Sequence, residues 1–442
     1  MNAPLKALLD MRMVRLPGLT ILLMALYAPG VSSDPLPSPL TLEFALSLAD
    51  GEHPERLTAD AALAQAQARR QQTDSVNDFT LSLSAELRAI EPSDIAYYQT
   101  RNDSLARINL SKQLYDFGRT AHAREAAEAG LDSQRWQLVD VRQQRRLQIM
   151  ERFFAVLLAD LEFARDNEAL SIDYIRYDRA RARQELGKVS DIDLLELESV
   201  YQQSRRTLSL SRNRQRITRS QLAIALNRPS DLPANLVAPA FEPREVAPDV
   251  DPLIKRALQE NPRIKALRAE LQAAEKQLRA NEAEGNPVIR AELEAAAYKR
   301  ELGGRDPLTA ALVFEWPLYQ GSRVDARVAE QRALVMQKQA DLSAYEMALR
   351  QQMLDDWMAL QELRVEQEGL QVQGDYRDLF LDRSRTLYDL DVASDLGDSM
   401  TQIAAIQYER ARNLYQIQLT QARLDALTGG LLEPAEAAQE TQ

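Results

Sequence analysis

The 442 residues include no cysteine, which excludes disulfides, thiolate metal sites, cysteine nucleophiles and a lipid-modified cysteine after a leader. Histidine is nearly absent: His53 stands beside Pro54, His122 follows a Phe-Gly turn, and neither has a ligand or triad partner at useful spacing. Both read as packing or surface residues. There is no Gly-rich phosphate loop, no HExxH and no G-x-S-x-G, so the chain reads as no enzyme and needs no cofactor or metal. A net charge of −12 argues against nucleic acid as a partner, since phosphate binding needs a basic face. Glycine is scarce at 15 and aromatics make up 6%, in a background rich in Ala, Leu, Gln, Glu and Arg. That mixture favours long packed helices over a sandwich or a doubly wound sheet.

No apolar run reaches the ~20 residues that a spanning helix needs. The run Leu19–Tyr27 follows Lys6, Arg12 and Arg15 and precedes the small residues Ala28, Gly30, Ser32 and Ser33. This pattern reads as a cleavable signal peptide over 1–33. A membrane anchor is the alternative, but Pro17, Gly18, Pro29 and Gly30 interrupt the run. The mature chain is then periplasmic or secreted, or enters an outer membrane by strands.

What is present is written twice. Proline is missing between Arg119 and Arg228 and again between Leu318 and Glu433. By contrast Pro229, Pro233, Pro239, Pro243, Pro248 and Pro252 mark a connector. Leu114-Tyr115-Asp116-Phe117-Gly118-Arg119 recurs 204 residues later as Leu318-Tyr319-Gln320-Gly321-Ser322-Arg323. The same offset carries Met150, Phe154 and Leu161 onto Leu354, Met358 and Val365, and Leu186 and Ser190 onto Leu390 and Ser394. One offset over so many features is an internal duplication. The divisions are a first repeat at 40–228, a Pro-rich connector at 229–252, a second repeat at 253–429 and a tail at 430–442.

Each repeat reads as an Ala-rich helix, a strand hairpin, a very long helix and a shorter returning helix. The first helices cover about Thr58–Gln72 and Pro262–Glu284. Period-two alternation marks four strands, for example Leu81, Leu83, Ala85 and Leu87 against Ser82, Ser84, Glu86 and Arg88. From Arg119 to Gln184, and from Ser322 to Leu390, nothing breaks a helix, which gives about 100 Å in each case. Leu147, Met150, Phe154, Leu157 and Leu161 step 3-4-3-4, the seam of helices packed side by side, and Leu354, Met358 and Val365 read as the same seam. The many Glu/Arg pairs read as solvated faces and inter-helix contacts.

Four strands cannot close a barrel, and an open edge cannot face lipid, so the strands must be shared between chains. Three chains would supply twelve. In a membrane, Leu83, Leu87, Ile108, Leu110, Leu293, Leu312, Phe314 and Trp316 face lipid, with Trp316 a candidate for the interfacial girdle. Glu86, Arg88, Arg290, Glu292, Glu294 and Glu315 then line water. The alternative is a half-buried soluble sheet on a soluble periplasmic coiled-coil scaffold.

In this order and duplicated, three features resemble the TolC-like outer-membrane efflux protein family over about Leu40 to Gly429. They are Leu114–Arg119, its echo Pro317-Leu318-Tyr319 with Gly321, and the turn Leu186-Gly187-Lys188-Val189-Ser190-Asp191-Ile192-Asp193-Leu194-Leu195. The resemblance implies a mainly α fold with a small β part: a homotrimer with a 12-strand outer-membrane β-barrel continued by a 12-helix periplasmic α-barrel. The connector would form part of a belt around it. The implied function is the exit duct of a tripartite efflux pump or a type I secretion system, in outer-membrane lipid, with a periplasmic adaptor and an inner-membrane transporter as partners. Carried over by position, the turns dock the adaptor through Leu186, Gly187, Lys188, Ser190, Asp193, Leu390 and Ser394. Around the second turn Asp391 and Gly397 depart from the family pattern, and acid density remains. Tyr388, Asp389, Asp391, Asp395 and Asp398 are aperture candidates, partly paired with Arg383 or Arg385. The alternative for these acids is a solvated helix end.

Overall fold

A computed structural model describes residues 36–241, 244, 249–300, 305–390 and 396–432. The segment 1–33 expected to be a signal peptide, Pro243 and Pro248 of the connector, Asp391, Ser394, Asp395 and the tail from 433 lie outside the described residues.

The first repeat supplies α1 (Leu42–Ser47), α2 (Pro54–Asp74), β1 (Phe79–Glu86), β2 (Leu105–Tyr115), α3 (Arg119–Glu185) and α4 (Asp191–Ala225). The second supplies α5 (Asp251–Glu260), α6 (Pro262–Glu282), β3 (Val288–Tyr298), β4 (Leu308–Glu315), α7 (Arg323–Asp389) and α8 (Leu396–Leu427). Both α3 and α7 have 67 residues, so each is ~100 Å long.

The recurring Leu-Tyr motif is the joint between strand and helix. Phe117 and Gly118 take positive φ values of 52° and 98°, turning the chain sharply out of β2. Buried Asp116 then accepts from the Thr120 amide at 2.8 Å, satisfying one of the free N–H groups at the start of α3. In the second repeat Gly321, at φ 66°, makes the matching turn.

The helices form a row. At the strand end α3 has α2 on one side and α6 on the other, and α7 packs on α6; at the far end α4 and α8 take the places of α2 and α6. Helix α3 is therefore internal along its length, whereas α7 is an end of the row. This corrects the shared seam. Phe154 is 3% exposed, but its echo Met358 is half-exposed and Val365 is 71% exposed. The core positions of α7 are instead Leu349, Met353 and Leu360, packed with Ile264, Ile417 and Leu424. Duplicated helices bury different faces because one has neighbours on both sides and the other on one.

Midway along α3, one turn of arginines gathers the shorter segments. Arg142 donates to Asp50 at 2.8 Å, and Arg146 reaches Asp50 and the Leu431 carbonyl. Arg145, 1% exposed, donates to the carbonyls of Ala49 at 3.3 Å and Ala225 at 3.2 Å. The latter closes α4, where a cation complements the helix dipole. These arginines are thus buried ties and not a solvated face. His53 caps α2, its Nδ1 accepting from the Glu55 amide at 3.3 Å, which agrees with a packing role. The connector crosses the same region: Leu40 bridges Leu236, Phe241 packs edge-on to Phe154 and Tyr415, and Arg244 pairs with Asp425 at 2.6 Å.

Candidate functional site

The four strands form one antiparallel sheet in the order β1-β2-β3-β4. The two hairpins meet through β2 and β3, and the outer edges of β1 and β4 have no strand partner among the described residues.

Register sorts the side chains onto two faces. Leu83 pairs with Ile108, Leu81 with Leu110, Leu110 with Leu293, Leu293 with Ala310, Ala291 with Leu312 and Ile289 with Phe314. These share one face, because directly paired residues project the same way. Leu87 and Trp316, just beyond the strand ends, continue it. Ser82 with Asn109, Asn109 with Glu294, Ser111 with Glu292 and Gln113 with Arg290 share the other, together with Glu86 and Glu315. Arg290 pairs with Glu315, and Arg107 lies 3.7 Å from Glu294. The two expected sets are thus each brought together on one face. Phe79 and Leu81 join the apolar set, as alternation alone would have indicated. From Phe314 to Leu308 the apolar column runs ~20 Å, near the ~25 Å apolar band of a membrane barrel. Its one charged member, Lys112, pairs with Phe79 and Ala291 near the aromatic end, where a long amine can reach water. A lysine on an apolar face carries no signal in the sequence.

At the other end of α3, the first turn is built by backbone chemistry. The Gly187 amide donates to Gln184 O at 2.8 Å and the Lys188 amide to Arg183 O at 2.9 Å, with Gly187 at φ 69°. This pair of bonds closes the helix and requires a left-handed residue at Gly187. Ser190 then caps α4, accepting from the Asp193 amide at 3.1 Å. Leu186 and Lys188 are exposed, and so are Ile192 and Leu195, which complete an apolar tip that the motif alone did not single out.

At the second turn Tyr388, Asp389 and Leu390 are exposed, while Asp391, Ser394 and Asp395 lie outside the described residues. Asp398 pairs with Arg176 of α3 at 2.5 Å, not with Arg383 or Arg385; Arg385 pairs with Asp382 at 3.8 Å. The reason is that α8 leans on α3. A Cβ at Gly397 would stand 2.9 Å from Ile172, so glycine permits the approach that puts Asp398 beside Arg176.

Among the described residues no helix is long and apolar enough to cross a membrane, and no group of three His, Asp or Glu is arranged to hold a metal.

The architecture is that of known outer-membrane channels. The chain superposes on the Campylobacter jejuni CmeC outer membrane channel with a TM-score of 0.77 at 14% identity, covering 91% of this chain and 89% of that one. The outer membrane protein VceC of Vibrio cholerae gives 0.71 at 18%, covering 88% and 97%. The open state of the Neisseria gonorrhoeae MtrE outer membrane channel gives 0.69 at 18%, covering 88% and 89%. No curated protein matches in sequence. Residues 253–430 match the outer membrane efflux protein family, a match that takes in α5 to α8 with β3 and β4. Over that span the chain thus matches the outer membrane efflux protein family, and over its described length it has the fold of the outer-membrane channels on which it superposes.

Proposed function

We propose that three copies of this chain form a passive exit duct that carries substrates from an inner-membrane transporter across periplasm and outer membrane. The observation that carries the reading is the four-stranded sheet with one apolar face and two edges that have no strand partner among the described residues. An open edge in lipid leaves backbone groups unsatisfied at several kcal/mol each, so β4 of one copy pairs with β1 of the next until twelve strands close. The helices support the same assembly. On α7, at one end of the row, Met347, Leu354, Met358, Val365, Val372 and Leu379 form an exposed apolar stripe, and on α4 Leu210, Ile217 and Ile224 recur every seventh residue. Each stripe packs on the neighbouring copy and closes a twelve-helix barrel.

In this assembly Leu83, Leu87, Ile108, Leu110, Leu293, Leu312, Phe314 and Trp316 face lipid, and Glu86, Arg88, Arg290, Glu292, Glu294 and Glu315 face water. The turn residues Leu186, Gly187, Lys188, Ser190, Asp193, Leu390 and Ser394 meet a periplasmic adaptor. Tyr388, Asp389, Asp391, Asp395 and Asp398 surround the entrance. The duct has no energy source of its own; the transporter drives transport, in a tripartite efflux pump or a type I secretion system.

The absence of cysteine gives a clean test. Cysteine pairs, one on β1 and one on β4 of the same chain, Ser82→Cys with Ala311→Cys among them, are introduced and oxidised in outer-membrane fractions. Covalent trimers at one register are expected. Monomers at every register, or recovery of the chain in the soluble fraction after osmotic shock, would favour the periplasmic scaffold.

A further inference from the structure

At the loop end of the sheet, Asp103 is 3% exposed in a region otherwise open to solvent. Its carboxylate is held from two sides. Arg305, leading into β4, donates at 2.8 Å, and the guanidinium of Arg88, just past β1, donates from the other side. Arg305 also donates to the Arg300 carbonyl at 3.4 Å and lies over the Tyr298 ring at 5.2 Å, while Arg300 donates to the Tyr98 carbonyl at 2.7 Å. The Asp103 amide donates to Arg88 O, and the Lys299 amide to Ser104 O. One carboxylate therefore ties the first hairpin, which precedes α3, to the second, some 200 residues further along.

The loop it restrains is ordered within itself. Arg101 pairs with Glu91 at 2.9 Å, and Gln99 donates to the carbonyls of Ser93 and Ala96. Its tip presents Ile95 and Tyr97, both over nine-tenths exposed, with Tyr98 set edge-on against Tyr97. Without Asp103, Arg88 keeps only the longer contact with Glu86 at 3.9 Å, the two guanidiniums face each other with no anion between them, and like charges at short range push the hairpins apart. The surface pair Arg101–Glu91 differs in kind, being solvated and weak.

We propose that Asp103 is a clamp that fixes the loop 89–102 to the second hairpin, so that the channel mouth keeps one shape. Releasing the clamp lets the loop swing across the mouth. The clamp rests on the geometry alone; that the loop borders a mouth rests on the duct reading.

The experiment is chymotrypsin nicking after Tyr97 and Tyr98 in the purified, assembled protein, with single-channel currents recorded from the same samples. A restrained loop resists cleavage because a protease needs locally opened chain. Asp103→Ala should be nicked at least tenfold faster than wild type, Arg101→Ala should not, and Asp103→Ala channels should show brief closures. If Asp103→Ala does not assemble, Arg305→Gln removes one arm and gives the same readout. Nicking at the wild-type rate overturns the clamp. Fast nicking with a steady current overturns its action on the mouth. Fast nicking of the purified protein but none on intact cells would leave the clamp standing and overturn the outward placement of the loop that the duct reading requires.

Discussion

The guanidinium of Arg410 on α8 lies flat over Gly374 on α7, donating to the carbonyls of Leu370 at 3.1 Å and Gln371 at 2.8 Å. A methyl group at 374 would overlap it, and Arg410 also reaches Asp375 at 3.5 Å. The glycine opens a gap in the helix surface that the arginine fills.

Gly374→Ala therefore sets two effects against each other. Alanine favours the helix by about 1 kcal/mol. Displacing Arg410 forfeits charge-assisted hydrogen bonds worth about 1.5–3 kcal/mol. A net loss of about 1 kcal/mol is expected. In a double-mutant cycle with Arg410→Ala, a coupling of at least about 1 kcal/mol is expected from heat or denaturant unfolding.

Asp140 and Asp50 should move stability with pH in opposite senses. Burial pushes the Asp140 carboxyl above its ordinary value, against the weaker pull of Arg263 and a hydrogen bond from Gln144. Tyr345 of α7 faces the same place, bonded to Asn261, and its hydroxyl is also pushed up by burial. A raised carboxyl binds more protons when folded, so its contribution is fullest at low pH and is lost as pH rises from the unfolded value through the folded one. Asp140→Asn should raise the unfolding midpoint at pH 7 by about 2 °C and leave it unchanged near pH 3.

Asp50 is the reverse case. Burial raises its carboxyl, but Arg142 and then Arg146 outweigh that and hold it below the ordinary value. Its stabilisation is present above the unfolded value and is lost as pH falls through the folded one. Asp50→Asn should cost about 1 kcal/mol at pH 7, discounted for partial exposure. Unfolding of variant and wild type should converge as the pH falls below the folded value.

At the first turn, Gly187→Ala meets no neighbouring atom, so only its positive φ is penalised. The expected cost is about 1 kcal/mol, and Ser190→Ala should cost a similar amount through loss of the α4 cap. Amide exchange at 187–193 should quicken about fivefold, the factor that ~1 kcal/mol gives a local opening, while the middle of α3 stays protected.

Asp398→Ala breaks the pair with Arg176 and frees the start of α8 from α3. If the second turn narrows the entrance, single-channel conductance should rise about twofold, and Arg176→Ala should do the same; unchanged conductance in both, and in Asp395→Ala, would support a solvated helix end.

The sequence determined the elements and the doubling. The proline-free stretches, divided by the turns at Gly187 and Leu390, placed both long helices to within a residue or two at each end, because one proline inside them would have broken the backbone ladder. Alternation placed the strand side chains on their two faces, since successive residues project oppositely whatever the neighbours. The turn at Gly187 was legible for a similar reason: its hydrogen bonds are local. What the sequence could not show was which copy of a repeated pattern is inside. Phe154 and Met358 occupy equivalent positions, yet one is buried between helices and the other faces outward. In the sequence Arg145 looks like any arginine of a solvated face, and Gly397 looks like drift, until the carbonyl of Ala225 and the side chain of Ile172 are placed beside them. Burial and close approach belong to pairs of residues far apart in the chain, so only the tertiary structure decided them.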